Sequence, residues 1–300
     1  MKGRVLKSFG NRFLVATSEG TYDCTLRGRI RLSEAKTLTP VAVGDDVELT
    51  VVTPPHGVID TVLPRRNKLS RPDVIKPEWE QILVANCDQI VVVASIVRPR
   101  LRYGAIDRFL LAGEKAGLRG LVVLNKTDLV SPESYERARE VYASVGYPVV
   151  VTSAVDGRGV PELREHLRGL TSIFAGHSGV GKSSLINALE PGLQVHTRDV
   201  SLATERGVHT TTAVELHTLS FGGYIADTPG LRAIGLWALD VRELPRLYRD
   251  FVPYLGHCRF GDCAHVQEPG CGIRRAVEEG QVAPERYDGY VRIRESLLRP

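Results

Sequence analysis

What this 300-residue sequence lacks narrows its class before any motif is read. Its apolar runs, such as "IVVVASIV" from Ile90 to Val97, fall well short of the roughly 20 residues a bilayer-spanning helix needs. The start, "MKGRVLKSFGNRFLVA", alternates apolar and polar residues and lacks the continuous apolar stretch and small-residue cleavage site of a secretory signal. A cytoplasmic location is therefore expected, with no membrane partner. The five cysteines are an odd number, which in such a chain argues against a disulfide scaffold and towards a metal site. No internal repeat or low-complexity tract is found. A strong net charge is also missing: the total is +4, and the first 68 residues hold it all, with 11 Lys and Arg against 7 Asp and Glu.

What is present is an ordinary globular composition, 43% hydrophobic and 25% charged, able to build a sizeable core and long enough for two or three compact units. From Gly3 to about Val62, short alternating segments ("RFLVAT", "TYDCTL", "DDVELTVV", "GVIDTVL") are separated by Gly20, Gly44 and the Pro54-Pro55-His56-Gly57 cluster. This predicts a small closed all-β barrel over 1–68. The basic surplus and the run "PRRNKLSRP" (Pro64 to Pro72) favour an oligonucleotide-binding barrel (OB-fold) that contacts RNA and is followed by a basic linker. The alternative is a barrel that merely packs on its neighbour.

From Gln89 the rhythm changes. Apolar runs ("QIVVVASI", "GLVVLN", "PVVVTS", "TSIFAG", "AVELHTL", "YIADTPG") alternate with amphipathic stretches such as "AIDRFLLAGEKAG" and "PESYERAREVYASVG". That predicts an α/β unit over 69–240, a mostly parallel sheet with helices on both faces. After about Leu236 the strand signal fades into a Cys/His cluster and a helical tail over 241–300.

The string "GHSGVGKS" has the phosphate-loop spacing G-x-x-x-x-G-K-[ST], after a strand and before the helix "SSLINALE". Gly176, Ser178, Gly179, Val180 and Gly181 are expected to wrap phosphate oxygens, with His177 at a variable position of the same loop. Ser183 and Ser184 begin the helix whose N-terminus adds converging N–H groups. Lys182 should reach the β- and γ-phosphates, and the Ser183 hydroxyl should hold Mg²⁺. "DTPG" follows its own strand, placing Asp227 to support Mg²⁺ through water and Gly230 to offer an N–H to the γ-phosphate. "NKTD" reads the base: Asp128 can accept from both the N1–H and the exocyclic amine of guanine, a donor pair adenine does not present. This favours GTP over ATP. Lys126 would lie along the base, Asn125 would brace the loop, and Ser153 with Ala154, in "TSA", would offer a backbone N–H to the guanine oxygen.

These parts run in an unusual order, base reader first and phosphate loop second. The order survives if each motif sits on its own strand at one edge of a sheet, so the α/β unit is expected to be circularly permuted. Between Gln194 and Thr212 lies "QVHTRDVSLATERGVHTTT", a polar interval matching the first switch of a GTPase. Thr211, with Thr210 as second choice, is expected to reach Mg²⁺ and the γ-phosphate. Leu231 stands after "DTPG" where signalling GTPases often carry a water-orienting Gln, and Leu cannot orient water. His209 is the nearest candidate for that task, against the plain reading that it is structural.

"CRFGDCAHVQEPGC" spaces Cys258, Cys263, His265 and Cys271 as C-x4-C-x-H-x5-C. Three thiolates and one imidazole complete a tetrahedron, which points to a structural zinc site with no open position. His257 is a competing ligand, and independent reduced cysteines are the alternative.

Taken together, a basic barrel, "NKTD" ahead of "GHSGVGKS", the switch "RGVHTTT", "DTPG" and the Cys-Cys-His-Cys cluster resemble the ribosome small subunit-dependent GTPase family, RsgA or YjeQ, over essentially the whole chain. The resemblance implies an N-terminal OB-fold, a permuted P-loop GTPase and a C-terminal zinc domain. It implies a late role in small ribosomal subunit maturation, with the subunit and its rRNA as partners and turnover stimulated by that subunit. It also implies the four zinc ligands named above, His209 as the catalytic switch residue and Thr211 as the Mg²⁺-side threonine. Nothing in the sequence points to a dimer interface. Two rivals remain: an RNA-binding scaffold whose hydrolysis is incidental, and a P-loop ATPase, against which Asp128 stands.

Overall fold

A computed structural model describes residues 1–28, 40–73, 76, 79–193, 214–226, 236 and 239–299, together with the backbone of Asp227. Five strands with period-two burial form the first unit: β1 (Lys2–Phe9), β2 (Arg12–Thr17), β3 (Gly20–Leu26), β4 (Asp46–Thr53) and β5 (His56–Val62). Neighbours run β1-β2-β3-β5-β4, β3 and β5 lie parallel, and β4 returns to pair with β1. The sheet closes into the five-stranded barrel predicted from the alternation. Inside it Val5, Phe13, Val15, Tyr22, Val47, Leu49 and Ile59 are buried together, each contributing about 1.5–3 kcal/mol by leaving water.

The basic linker expected from Pro64 to Pro72 takes a different form. Lys68–Pro72 is strand β6, paired antiparallel with β7 (Glu80–Ala85). Arg65 grips the buried Asp45 at 2.6 and 2.7 Å, and Arg66 bonds Asp88 and the Asn86 carbonyl. Arg65 thus braces the barrel itself, and Arg66 fastens it to the next unit at Asp88. Arg4, Arg12 and Arg27 of the barrel are likewise paired with Asp46, Asp23 and Asp60.

The second unit alternates strand and helix: β8 (Gln89–Ser95), α1 (Tyr103–Lys115), β9 (Arg119–Asn125), α2 (Glu133–Ala143), β10 (Val149–Val151), α3 (Val160–Leu167), β11 (Thr171–Ala175) and α4 (Lys182–Leu189), then β12 (Glu215–Thr218) and β13 (Tyr224–Asp227). The order across the sheet is β10-β9-β8-β11-β13-β12, parallel throughout except for β12, which runs antiparallel to β13. Every residue of β8 is buried, as a parallel strand covered on both faces requires. One apolar cluster, with Val91, Val123, Phe174 and Leu185, lies under α3 and α4. On the other face a larger cluster runs from Ile90 and Leu110 to Phe251, Ile273 and Ile293. The C-terminal segment thus has no separate core and shares that of the sheet.

That segment contains α5 (Leu244–Leu247), α6 (Gly272–Glu278) and α7 (Pro284–Leu298). Pro284 opens α7 at a position where a missing N–H costs nothing. Helix α7 lies against α1 so closely that a Cβ on Gly289 would stand 2.2 Å from Asp107 Oδ2. The joint is ionic at its centre. Arg286 of α7 is fully buried, donates to Asp107 of α1, and grips Asp250 at 2.8 and 3.1 Å. Its guanidinium lies 4.6 Å from the centre of the Tyr248 ring, and the Tyr142 hydroxyl also donates to Asp107 at 3.0 Å. Burial pushes the Asp107 carboxyl up to about 6, against the pull of Arg286 and Tyr142.

Two carboxylates share one guanidinium, so loss of the cation should cost far more than loss of one anion. Arg286→Met is expected to lower unfolding stability by about 3–5 kcal/mol, because it strands buried carboxylates. Asp107→Asn, which keeps an acceptor for Arg286, should cost about 1 kcal/mol or less. The unfolded Asp107 carboxyl loses its proton near 4, whereas the native one keeps it to about 6. Native protein therefore holds the extra proton in between, and its stability falls as pH rises through that window. Denaturant titrations from pH 4 to 7 should show a flatter decline in Asp107→Asn than in the wild type.

Candidate functional site

The strands place the sequence motifs at one edge. Asn125 ends β9, Thr152 follows β10, Gly176 follows β11, and the backbone of Asp227 ends β13, paired with Phe174. This carboxyl edge, where the strand order departs from chain order, is where open α/β sheets bind ligands. Circular permutation leaves it intact.

Residues Gly176–Gly181 form the turn between β11 and α4. Gly176 has φ +144°, and a Cβ there would lie 2.2 Å from the Val93 carbonyl; Gly181 has φ +95°, and its Cβ would lie 2.4 Å from Asn125 Nδ2. Both positions therefore require glycine. The Lys182 ammonium curls back over the turn and donates to the carbonyls of Gly176 (2.7 Å) and His177 (2.9 Å). It stands at the centre of the loop, where phosphate oxygens would replace those carbonyls. His177 and Ser178 are exposed, and the His177 ring meets Phe109 of α1 edge-on at 6.1 Å. Val180 is buried under the turn, and Ser183 and Ser184 lie in the first turn of α4.

The base-reading loop is tied to this turn by side chains. Buried Asn125 donates through Nδ2 to the Val180 carbonyl (2.9 Å) and accepts from Thr152 Oγ1 (3.1 Å). Lys126 adopts a left-handed backbone, φ +64°, and its ammonium donates to the Arg98 carbonyl at 2.6 Å. Thr127 bonds the Thr152 carbonyl. Asp128 is exposed in the short turn Thr127–Leu129, and its carboxylate makes no hydrogen bond among the described residues. It remains open to a ligand. The buried Ser153 hydroxyl accepts from the Val155 and Asp156 N–H groups, shaping the turn that presents Ala154. His209, Thr210, Thr211, Gly230 and Leu231 lie outside the described residues.

The second constellation is a metal-type cluster. The ligand atoms of Cys258, Cys263, His265 and Cys271 all lie within 4.8 Å of one another. His265 Nδ1 is 3.5 Å from the sulfurs of both Cys258 and Cys271, and those sulfurs are 4.0 Å apart. A tetrahedron with Zn–S of ~2.3 Å and Zn–N of ~2.0–2.1 Å requires about 3.6 and 3.8 Å, so the donor set fits zinc in spacing and chemistry. Among the described residues His257 does not join this group. Burial pushes the Cys263 thiol up to about 12, raises Cys271 and lowers His265, so a bound cation would displace thiol protons and meet a neutral imidazole.

Several contributors had no motif to reveal them. Glu268 turns its carboxylate onto the N–H groups of Ala264, Val266 and Gln267, which helps hold it down to about 2 despite the opposing effect of burial. It thereby shapes the left-handed bend at His265, φ +61°. Tyr287 and Tyr290 of α7 donate to the carbonyls of His265 and Ala264. Arg98 serves through a backbone carbonyl, which any residue could supply, and Thr152 through a hydroxyl that no motif position marks.

A P-loop preceded in sequence by its own guanine reader, between a five-stranded barrel and a Cys-Cys-His-Cys loop, defines a circularly permuted GTPase. Comparison with known proteins makes the assignment specific: family models described as RsgA N-terminal domain and RsgA GTPase match residues 2–59 and 62–237. A protein of Gemmatimonas aurantiaca named small ribosomal subunit biogenesis GTPase RsgA is 42% identical over 299 residues, covering 99% of this chain and 97% of that one. The Thermotoga maritima protein of the same name is 39% identical, covering 98% and 96%. Among solved structures, YjeQ from Thermotoga maritima superposes with a TM-score of 0.83 at 38% identity, over 100% of this chain and 99% of that one. YloQ, described as a circularly permuted GTPase, gives 0.76 at 29% identity, over 98% and 94%. The chain belongs to the RsgA GTPase family.

The "NKTD" reading assigns base choice to Asp128, which gives a direct test. Asp128→Asn should weaken GTP binding roughly 100-fold or more, since one charge-assisted hydrogen bond is lost to a donor facing a donor and the other loses its charge. Xanthine carries a carbonyl where guanine has its amine, so the same variant should gain affinity for XTP. Competition binding with GTP, XTP and ATP reads both changes.

Proposed function

We propose that the chain binds the small ribosomal subunit late in its maturation and hydrolyses GTP to GDP and phosphate, with turnover stimulated by the subunit and coupled to release. It acts as a cytoplasmic monomer, contacting rRNA through its outer units. The observation that carries this reading is the bond from Asn125 to Val180, which unites base reader and phosphate loop in one cleft despite their reversed order. The names of the relatives supply the ribosomal partner.

The residues divide the work. Asp128 accepts from the guanine edge, the backbone at Ser153 and Ala154 faces its oxygen, and Lys126 lies along its plane. Gly176 to Gly181 and the N-terminus of α4 surround the phosphates, and Lys182 moves from the Gly176 and His177 carbonyls to the β- and γ-oxygens. Ser183 and Thr211 would hold Mg²⁺, and Asp227 would support it through a water. When bound, Mg²⁺ neutralises charge that gathers on the phosphate oxygens. Gly230 offers its N–H to the γ-phosphate. His209 orients the attacking water in place of the Gln that Leu231 replaces. Cys258, Cys263, His265 and Cys271 would bind one structural zinc ion, which fixes a loop at the margin of the core that the segment shares with the sheet.

Hydrolysis should be measured with purified protein alone, with isolated small subunits and with large subunits. Strong stimulation by small subunits only is expected, and equal rates in all three would reject the coupling. His209→Ala should lower stimulated turnover roughly 100-fold or more while leaving GTP affinity nearly intact. Unchanged turnover would remove His209 from the mechanism.

A further inference from the structure

Metal binding leaves part of the Cys-Cys-His-Cys loop unexplained. Its tip carries Phe260 outward, 42% exposed, with the Arg259 guanidinium 5.6 Å from the ring centre. An exposed aromatic ring on a loop stapled by a metal costs burial energy and gives no packing in return. Beside it opens a cavity of about 480 Å³, bounded by the loop on one side and by Arg246 of α5 and Arg294 of α7 on the other. That size falls within the ~300–1,000 Å³ typical of sites for small molecules.

The charges around this cavity differ from those of the barrel. The described barrel arginines are neutralised by carboxylates, as is Arg242 here by Asp240. Arg246 and Arg294 have no carboxylate partner among the described residues. A zinc-loaded set of three thiolates and a neutral imidazole carries one net negative charge, and Asp262 adds a second. Arg246 and Arg294 on the cavity wall offset both, and Arg259 beside the Phe260 ring adds a further positive charge outside the lining.

We infer that this cavity binds one unstacked nucleotide of single-stranded RNA, with the phosphate between Arg246 and Arg294 and the base on the face of Phe260. The inference rests on the ribosomal reading above and assigns a contact within it. A carboxylate-bearing peptide could use the arginines but would leave Phe260 without a planar partner. A nucleotide uses both, since every base offers a face to an aromatic ring and every linkage a charge to a guanidinium.

The test compares wild type, Phe260→Ala, Phe260→Trp and the double variant Arg246→Gln with Arg294→Gln. Binding is measured to intact small subunits, to their deproteinised rRNA and to a single-stranded RNA of about ten nucleotides. Zinc content and unstimulated GTP turnover, expected to stay at wild-type values, report folding. Phe260→Ala should weaken binding to all three probes by roughly 5- to 100-fold, and Phe260→Trp should restore it. The double variant should also lower the slope of log affinity against log salt by roughly 0.7, because one phosphate is no longer neutralised. Wild-type affinity and salt slope in zinc-loaded variants would overturn the site. Weakening confined to intact subunits would overturn it in favour of a protein partner. If wild type fails to bind small subunits yet Phe260→Ala still weakens binding to the short RNA, the ribosomal reading falls and the nucleotide site stands.

Discussion

The side-chain amide of Asn125 is the contact on which the active cleft depends. Its Nδ2 holds the Val180 carbonyl, its Oδ1 holds Thr152, and it fills the space a Cβ on Gly181 would need. Three loops from three strands are thereby locked to one residue. The locking passes through side chains, so it does not depend on the order in which the chain visits the strands. A permuted sequence can build the same cleft because the sheet supplies strand ends and Asn125 supplies the connection between loops.

The cleft is also joined to the rest of the molecule. Helix α1 meets the phosphate loop through Phe109 and His177, and two residues earlier it offers Asp107 to the buried Arg286 of α7. Helix α7 in turn fixes the metal-binding loop through Tyr287 and Tyr290. At the other end, Arg66 on Asp88 and Arg4 on the Thr171 hydroxyl tie the barrel to the entry of the parallel sheet. The C-terminal unit and the barrel are therefore packed and hydrogen-bonded to the GTPase unit. A partner that contacts either outer unit pushes on elements that touch the sheet directly.

The readable part of this protein was written locally. Glycine positions in "GHSGVGKS", the continuous apolar run of β8 and the Cys/His spacing each reflect a demand set within a few residues. The unreadable part depends on partners far apart in the chain. Arg286 and Asp107 are 179 positions apart, and nothing around either announces a buried ion pair. "PRRNKLSRP" reads as a solvated basic run because the carboxylates that meet Arg65, Arg66 and Lys68, namely Asp45, Asp88 and Glu80, come from other segments. Glu268 is silent for another reason: its role is to accept from backbone N–H groups, which carry no residue identity. The switch, with His209 and Thr211, rests on motif and resemblance alone.

The central claim is that Asn125 makes one guanine-nucleotide site out of two loops. Titration calorimetry of GTP, GDP and ATP into wild type and Asn125→Ala tests it most directly. Wild type should bind GTP and GDP far more tightly than ATP, and the folded variant should lose roughly 10- to 100-fold for both guanine nucleotides, as a buried hydrogen-bonded bridge implies. Wild-type affinity in Asn125→Ala, or equal affinity of the wild type for ATP and GTP, would contradict the account.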